Sequence, residues 1–569
     1  MTHQHNKDNA GEDFPVSWRD PADTKAAWEL HRNQHNPSGQ VAPLEFDLYL
    51  RWALEGIGYA CEQFGRPVTG VRALLLNTYP YYYNVPADVD AEEARRMHLA
   101  SDGVIEHRAM ELERDWAEDF LPRIKALLAE MEVPDLSALS DGGLADHLAA
   151  LQGLMAELWR IHFLIDFPSH VAVSDFEELY RSLFSVEEGD GDRFGAYRLL
   201  GGVPNLTVEG AQELWRLSRR AADLPEVRQV LAETESAKVP LALKQFPQGQ
   251  AFLEELRAYL DVYGRRGDDI SPIMPSRVED PTPALHGIKA YLDQPESAAP
   301  AAGAQRALAE AESALQEARA QLASFPRQVA ELFEQLLAAA RTGTALGEDH
   351  AYYIDYGATY LVRRAALEAG RRLAARGGLE APDEVFRLYL EELVAALRDP
   401  RAQPRELVTR RIAEAEHFSG VTPPPLLGEA TPTPPPAEGW LERLTGSYEG
   451  ESESGTAVPG TLTGSPGSPG TVRGVVRILA SMAEADRLAP GEILVAEATS
   501  STWTPLFAVA AAVVTDVGGV LSHSAVVARE YGIPAVVGAA GATAALRDGQ
   551  QVEVDGDHGV IRIIEADGR

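Results

Sequence analysis

The chain has 569 residues, enough for two to four domains, and its 45% hydrophobic content is ordinary for a folded protein. Lys and Arg number 51 against 86 Asp and Glu, and the resulting net charge of −35 argues against a nucleic-acid backbone or an anionic membrane as partner. The single cysteine, Cys61, excludes an internal disulfide and reads as a small apolar filler. With no signal-like N-terminus, and with the longest apolar run, Leu506 to Val514, far short of the roughly 20 residues a membrane span needs, a cytoplasmic location is expected.

Residues 1–13 are polar and read as a disordered tail, in which His3 and His5 are solvated. From 14 to 420 the apolar spacing is mostly helical, as in Glu157-Leu158-Trp159-Arg160-Ile161-His162-Phe163. The aromatic string Tyr79 to Tyr83 offers a planar surface for a substrate or, more simply, core. Residues 297–304 predict a surface loop. After it Leu308, Ala311, Leu315, Ala318 and Leu322 predict a helix that Pro326 ends, and a second amphipathic helix follows. Residues 421–463 are rich in Pro, Gly, Thr, Ser and Glu and predict a linker that reaches on the order of 100 Å when extended. From 464 to 569 short strands alternate with short helices, which predicts a compact α/β domain. The fold class expected is therefore multidomain, a large mostly α-helical region followed by a small α/β domain.

The α/β segment carries the chemistry. Gly518-Gly519-Val520-Leu521-Ser522-His523-Ser524-Ala525-Val526-Val527-Ala528-Arg529-Glu530 follows an apolar strand. The paired glycines allow a sharp turn, Ser522 is a good N-cap, and a helix begins at Ser524. His523 then sits at a helix N-terminus, where free N–H groups and the helix dipole favour an anion. Imidazole is a nucleophile at neutral pH, and a nucleophile beside an anion cradle suits phosphoryl transfer through histidine. No CxxC, HExxH, P-loop or GxSxG is present, so no metal-ligand cluster and no organic prosthetic group is expected.

With Tyr531-Gly532-Ile533-Pro534-Ala535-Val536-Val537-Gly538, this string resembles the phosphohistidine, or swivelling, domain of the phosphoenolpyruvate-utilising enzymes. Leu521 stands where the pyruvate phosphate dikinases have threonine and is more similar to the rifampicin phosphotransferase branch. The helical region resembles, through shorter strings, the substrate-binding part of rifampicin phosphotransferase and phenylphosphate synthase. These strings include Tyr263-Gly264-Arg265-Arg266, Glu348-Asp349-His350-Ala351-Tyr352-Tyr353-Ile354-Asp355 and Arg363-Arg364.

The resemblance implies that His523 carries the phosphoryl group and that Gly518, Gly519, Ser522 and Ser524 cradle it. It further implies an acceptor pocket among the helices. There His350 is the candidate base, and Arg363, Arg364 and Arg265 are candidate phosphate clamps, against structural roles for each. Relatives that charge their own histidine carry an ATP-grasp domain, for which 1–420 leaves no room. ATP and Mg²⁺ are thus expected on an ATP-grasp partner in trans, with a small hydroxylated, aromatic acceptor. The alternatives are a stand-alone ATP-dependent dikinase-like enzyme and a non-catalytic binding protein that retains the swivelling fold.

Overall fold

A computed structural model describes residues 14–31, 39–184, 194–430, 460–520 and 522–564. The tail 1–13, Leu521 and residues 431–459, most of the predicted linker, lie outside the described residues. The fold class is as expected: a large helical region precedes an α/β domain.

The helical region also contains a small antiparallel sheet that helical spacing did not suggest. β1 (Trp28–Leu30), β2 (Val68–Leu76), β3 (Tyr79–Pro86) and β4 (Leu426–Leu427) lie in the order β2-β3-β1-β4. The tyrosine string is strand β3. Tyr79 and Tyr81 pack in a core with Phe14, Trp28 and Phe418, so the core reading holds for both, while Tyr82 and Tyr83 face the large cavity described below. Residues 421–430 are no tether. Tyr81 Oη donates to the Pro424 carbonyl at 2.8 Å, the Leu30 N–H donates to Pro425, and Leu426 and Leu427 pair with Glu29 and Trp28. Prolines lack an N–H but keep a carbonyl, so a Pro-rich strand is stable at a sheet edge.

Helix α1 (Arg51–Gln63) lies against β2 and against the long helix α2 (Asp141–Phe184). α2 is the one helix among the described residues long and apolar enough to cross a membrane, and half of its most apolar window is buried inside this fold. It packs along α5 (Arg327–Ala351), and the two form the spine of the region. Before α5 come α3 (Leu206–Ala222) and α4 (Pro300–Leu322). α4 begins at Pro300, so residues 300–304 are helical rather than loop; proline at the first position costs no hydrogen bond. Pro326 ends α4's run and starts α5, as the spacing predicts. α5 does not end cleanly. It passes through a π-helical stretch, Tyr352–Ala358, into α6 (Thr359–Ala375).

The α/β domain is built on an eight-stranded sheet among the described residues. Its order is β5 (Thr461–Thr463), β12 (Val560–Ile563), β11 (Gln551–Asp555), β7 (Thr471–Ile478), β8 (Ile493–Ala496), β9 (Ala512–Thr515), β10 (Ala535–Val537) and β6 (Ser465–Ser468). β7 to β10 are parallel, with Val495 opposite Val514, and both faces of β8 and β9 are buried. Central parallel strands read as continuous apolar runs for that reason. Helix α7 (His523–Tyr531) crosses from β9 to β10. The carboxyl ends of β8 and β9 thus lead into the loops that hold His523, where α/β sheets place their ligands.

The two units are docked. His286 Nδ1 lies 2.9 Å from the Met482 carbonyl and its Nε2 lies 3.3 Å from Asp486. The Tyr291 and Tyr531 hydroxyls are 3.0 Å apart, and Val520 packs onto an apolar cluster around Phe176 and Phe333.

A candidate phosphohistidine site docked on an acceptor cavity

The turn that presents His523 is fixed from several sides. Gly518 has φ +115°, and a Cβ there would meet the Ser522 side chain at 3.0 Å. The Ser522 N–H donates to the Gly519 carbonyl at 3.0 Å, and Ser522 is the N-cap residue of α7. Its Oγ is buried without a hydrogen-bond partner, free for an anion at the helix start. Ser524 Oγ is instead 2.8 Å from Thr499 Oγ1 and braces the neighbouring loop. Arg529, in the last turn of α7, donates to the Gly467 carbonyl at 2.9 Å and to the Val520 carbonyl, and stacks 4.4 Å from the Tyr197 ring centre. That explains the arginine of the motif: it ties the turn to its own helix and to the helical region.

His523 reaches across to α5. Its Nδ1 lies 3.3 Å from Glu348 Oε1, and its Nε2 is buried with no hydrogen-bond partner. Glu348 also accepts from Thr207 Oγ1 at 2.6 Å, and Thr207 in turn accepts from Arg266 Nη1 at 3.1 Å. Burial alone would raise the Glu348 carboxyl, but His523, Thr207 and Arg266 outweigh it and hold the group at about 2. An ionised carboxylate only accepts, so His523 Nδ1 carries the hydrogen and the Nε2 lone pair is exposed for bonding. Nε2 is therefore the ring nitrogen left able to form a bond on the cavity side.

His523 and Glu348 line one large cavity of about 1880 Å³, enclosed by the helical region on one side and the α/β domain on the other. Its apolar wall includes Leu54, Ile57, Val71, Trp159 and Phe163, and its polar wall includes Thr207, Arg266, His162, His350 and Asp355. An apolar cavity with a few convergent polar groups is the usual form of a small-molecule site, and this one exceeds the common range of about 300–1,000 Å³.

His350 is on this wall, 2% exposed. Its Nδ1 is 2.5 Å from the Leu346 carbonyl and so donates, which leaves Nε2 a lone-pair acceptor, buried and without a hydrogen-bond partner. Burial, and then the charge of His162, lowers its basicity. His162 Nδ1 lies 2.9 Å from Asp355, and Asp355 holds His162 above the usual imidazole value against the cost of burial. One ligand atom from each of His162, His350 and Asp355 lies within 4.8 Å of the others. No short motif marks this grouping, because His162 lies far along the chain from His350 and Asp355.

The arginines predicted as clamps point elsewhere. Arg363 is committed to Glu279 at 2.9 Å and to the carbonyls of Pro272 and Ile273. Arg364 donates to the carbonyls of Val133 and Pro134, and Arg265 pairs with Glu132 at 2.9 Å. None of the three is among the residues that line the cavity, whereas Arg266 is. Arg266 is 6% exposed and lies over the Tyr352 and Tyr356 rings, with its Nε free of hydrogen bonds. Arg266, rather than the neighbouring Arg265, brings a guanidinium to the cavity wall. Glu348, Thr207 and His162 were not singled out as site residues. Glu348 had a signal, an acidic residue two positions before the candidate base, and the other two had none.

The profile of the PEP-utilising enzyme mobile domain matches residues 488–559, and that of the rifampicin phosphotransferase fourth domain matches 168–348. The chain belongs to the PEP-utilising enzymes, of the rifampicin phosphotransferase type. A chondramide synthase of Chondromyces crocatus is 38% identical over 97% of this chain, which corresponds to 14% of that protein. A rifampicin phosphotransferase of Streptomyces sviceus is 34% identical over 67% of the chain and 42% of its own length. An uncharacterized phosphotransferase of Bacillus subtilis, YvkC, is 28% identical over 78% of the chain and 51% of its own length. The chain thus spans about half or less of these relatives. The fourth-domain match ends at Glu348, and the mobile-domain match contains His523, so the two matched regions meet at the contact between these residues.

Proposed function

We propose that this chain is a phosphotransferase component that carries a phosphoryl group on His523 Nε2 and delivers it to a hydroxylated small molecule in the cavity. The observation that carries the reading is the docked geometry: Glu348 fixes the Nδ1–H tautomer, and the Nε2 lone pair is buried on the wall of an apolar cavity. The relatives named rifampicin phosphotransferase support transfer to a hydroxyl, and the ring-sized apolar wall suits an aromatic acceptor.

The relay has two in-line displacements. In the first, the Nε2 lone pair of His523 attacks the β-phosphorus of Mg²⁺-ATP, by family likeness, and the bond to the α-phosphate oxygen breaks with AMP as the leaving group; water then cleaves the β–γ bond and releases inorganic phosphate, which leaves one phosphoryl on Nε2. In the second, the acceptor oxygen attacks the phosphorus, the P–Nε2 bond breaks and its electron pair returns to His523. The acceptor proton leaves on the side of the His162, His350 and Asp355 cluster. Such transfers need positioning and charge neutralisation above all. The free N–H groups at the start of α7, Ser522 Oγ and Arg266 supply these here. ATP is a substrate held by an ATP-grasp unit in trans.

The test loads His523 from labelled ATP with an ATP-grasp protein and then adds rifampicin and simple phenols as acceptors. An acid-labile, base-stable label that leaves the protein for an acceptor supports the reading. Label that forms on the His523→Ala variant, or a wild-type label that no hydroxyl compound discharges, overturns it.

A further inference from the structure

The cavity contains a second group of side chains, on the side where the acceptor proton leaves, that takes no part in making or breaking the P–Nε2 bond. His162 lies on α2, His350 at the end of α5 and Asp355 in the π-helical stretch that follows. A π turn adds a residue to the helical repeat, and such turns recur at functional sites. Here it brings Asp355 round to the imidazole of His162, to 2.9 Å. Pro168 inside α2 leaves a backbone carbonyl without its usual donor just beyond His162, so both spine helices are irregular at the same level. All three side chains are buried, and His350 Nε2, already fixed as a lone pair by the Leu346 contact, has no hydrogen-bond partner. An imidazole nitrogen buried in this state is costly unless something accepts its lone pair.

We infer that His162, His350 and Asp355 bind a divalent first-row metal ion, with Zn²⁺ the first candidate, on the wall of the acceptor cavity. Two imidazoles and a carboxylate are a donor set for such ions, and three protein ligands leave a position open to the cavity. Ligands about 2.1 Å from one tetrahedral ion sit about 3.4 Å apart, so small side-chain rotations close a set that already lies within 4.8 Å. Asp166 and His170, 3.2 Å apart, lie on the same wall and add a further carboxylate and imidazole close to the group. The open position takes an oxygen of the bound molecule, so the ion selects acceptors with a hydroxyl that can ligate a metal. This last role rests on the proposed function; the ion's binding does not.

The experiment uses the full chain, stripped of metal by a chelator and titrated with Co²⁺ and then Zn²⁺. One equivalent of Co²⁺ with visible absorption bands, displaced by Zn²⁺, is expected. His350→Gln and Asp355→Asn should each weaken binding at least tenfold. The double variant His3→Ala with His5→Ala should bind as the wild type does. A chain that takes up no stoichiometric metal, or binding that the tail variant abolishes, overturns the inference. If His350→Gln does not fold, the thermal shift of the wild type on adding Zn²⁺, absent in Asp355→Asn, decides. The two readings fail separately. Label transfer from His523 to acceptor by a chain that takes up no stoichiometric metal defeats the ion alone, and stoichiometric metal without phosphohistidine defeats the relay alone.

Discussion

The two sides of the cavity are built on different principles. On the α/β side one turn and the first residue of one short helix hold the chemistry, and their bracing is largely local: Gly518, Ser522 and Arg529 all act within a dozen residues of His523. On the helical side Thr207, Arg266, Glu348, His162 and Asp355 come from α2, α3, α5 and the segments after them, and the arrangement depends on helix register. A locally braced site can travel with its domain and stay intact. A site assembled across long helices has to remain in place. The difference suits a carrier that moves and an acceptor site that waits.

The largest expected effect breaks the carrier side. His523→Ala removes the nitrogen proposed to carry the phosphoryl group, so acceptor phosphorylation should fall by more than about 10³-fold, with the domain still folded. Measurement of label on protein and on acceptor would show it, and residual turnover near wild type would leave the α/β side without its role. The next largest lies across the interface. Glu348→Gln keeps the size but loses the charge that fixes the Nδ1–H tautomer, and transfer should fall about 10²-fold. The comparison is sharpened if circular dichroism and melting show both variants folded.

Arg363→Ala separates structure from chemistry within the helical side. Arg363 is buried and holds Glu279 and the carbonyls of Pro272 and Ile273, in the segment between α3 and α4. Its removal leaves a carboxylate and carbonyls without their donor, at a cost of about 3 kcal/mol in unfolding free energy. Denaturant titration reads that loss, and single-turnover transfer per folded molecule should be unchanged. A large drop in transfer with normal stability would restore the clamp role to Arg363.

How far each side was legible follows from the same contrast. His523, its turn and its helix lie in one contiguous string, whose glycines, cap and arginine each have a local reason that the residue order displays. The acceptor side offers only short strings: of the residues they suggest, His350 lines the cavity and Arg265, Arg363 and Arg364 do not. Arg265 and Arg266 are adjacent, and only tertiary packing decides which one turns inward. Asp355 is five residues from His350, a spacing that an unbroken α-helix would not place on the same side, and the π stretch that does so has no sequence mark. The sheet around β3 was hidden because its strands are closed by Leu426 and Leu427, hundreds of residues away in a Pro-rich segment read as linker.

The smallest expected effect concerns the docking of the two sides on each other. Glu530, at the end of α7, is desolvated where the α/β domain meets the helical region; this burial, and then the charge of Glu348, raise it from 4.5 to about 8, while Asn205 and Arg529 oppose the rise. In the undocked domain, with the carboxyl in water, the value returns toward 4.5. The docked form then binds the extra proton, so docking is fully supported below about pH 4.5 and loses this contribution as pH rises through about 8. The separated population, read by fluorescence energy transfer between labels on the two units, should therefore grow over that window. Glu530→Gln mimics the protonated side chain and should remain docked, with the pH response flattened. A variant that separates with the same pH profile as the wild type would assign the response to other groups at the interface, His286 with Asp486 first among them.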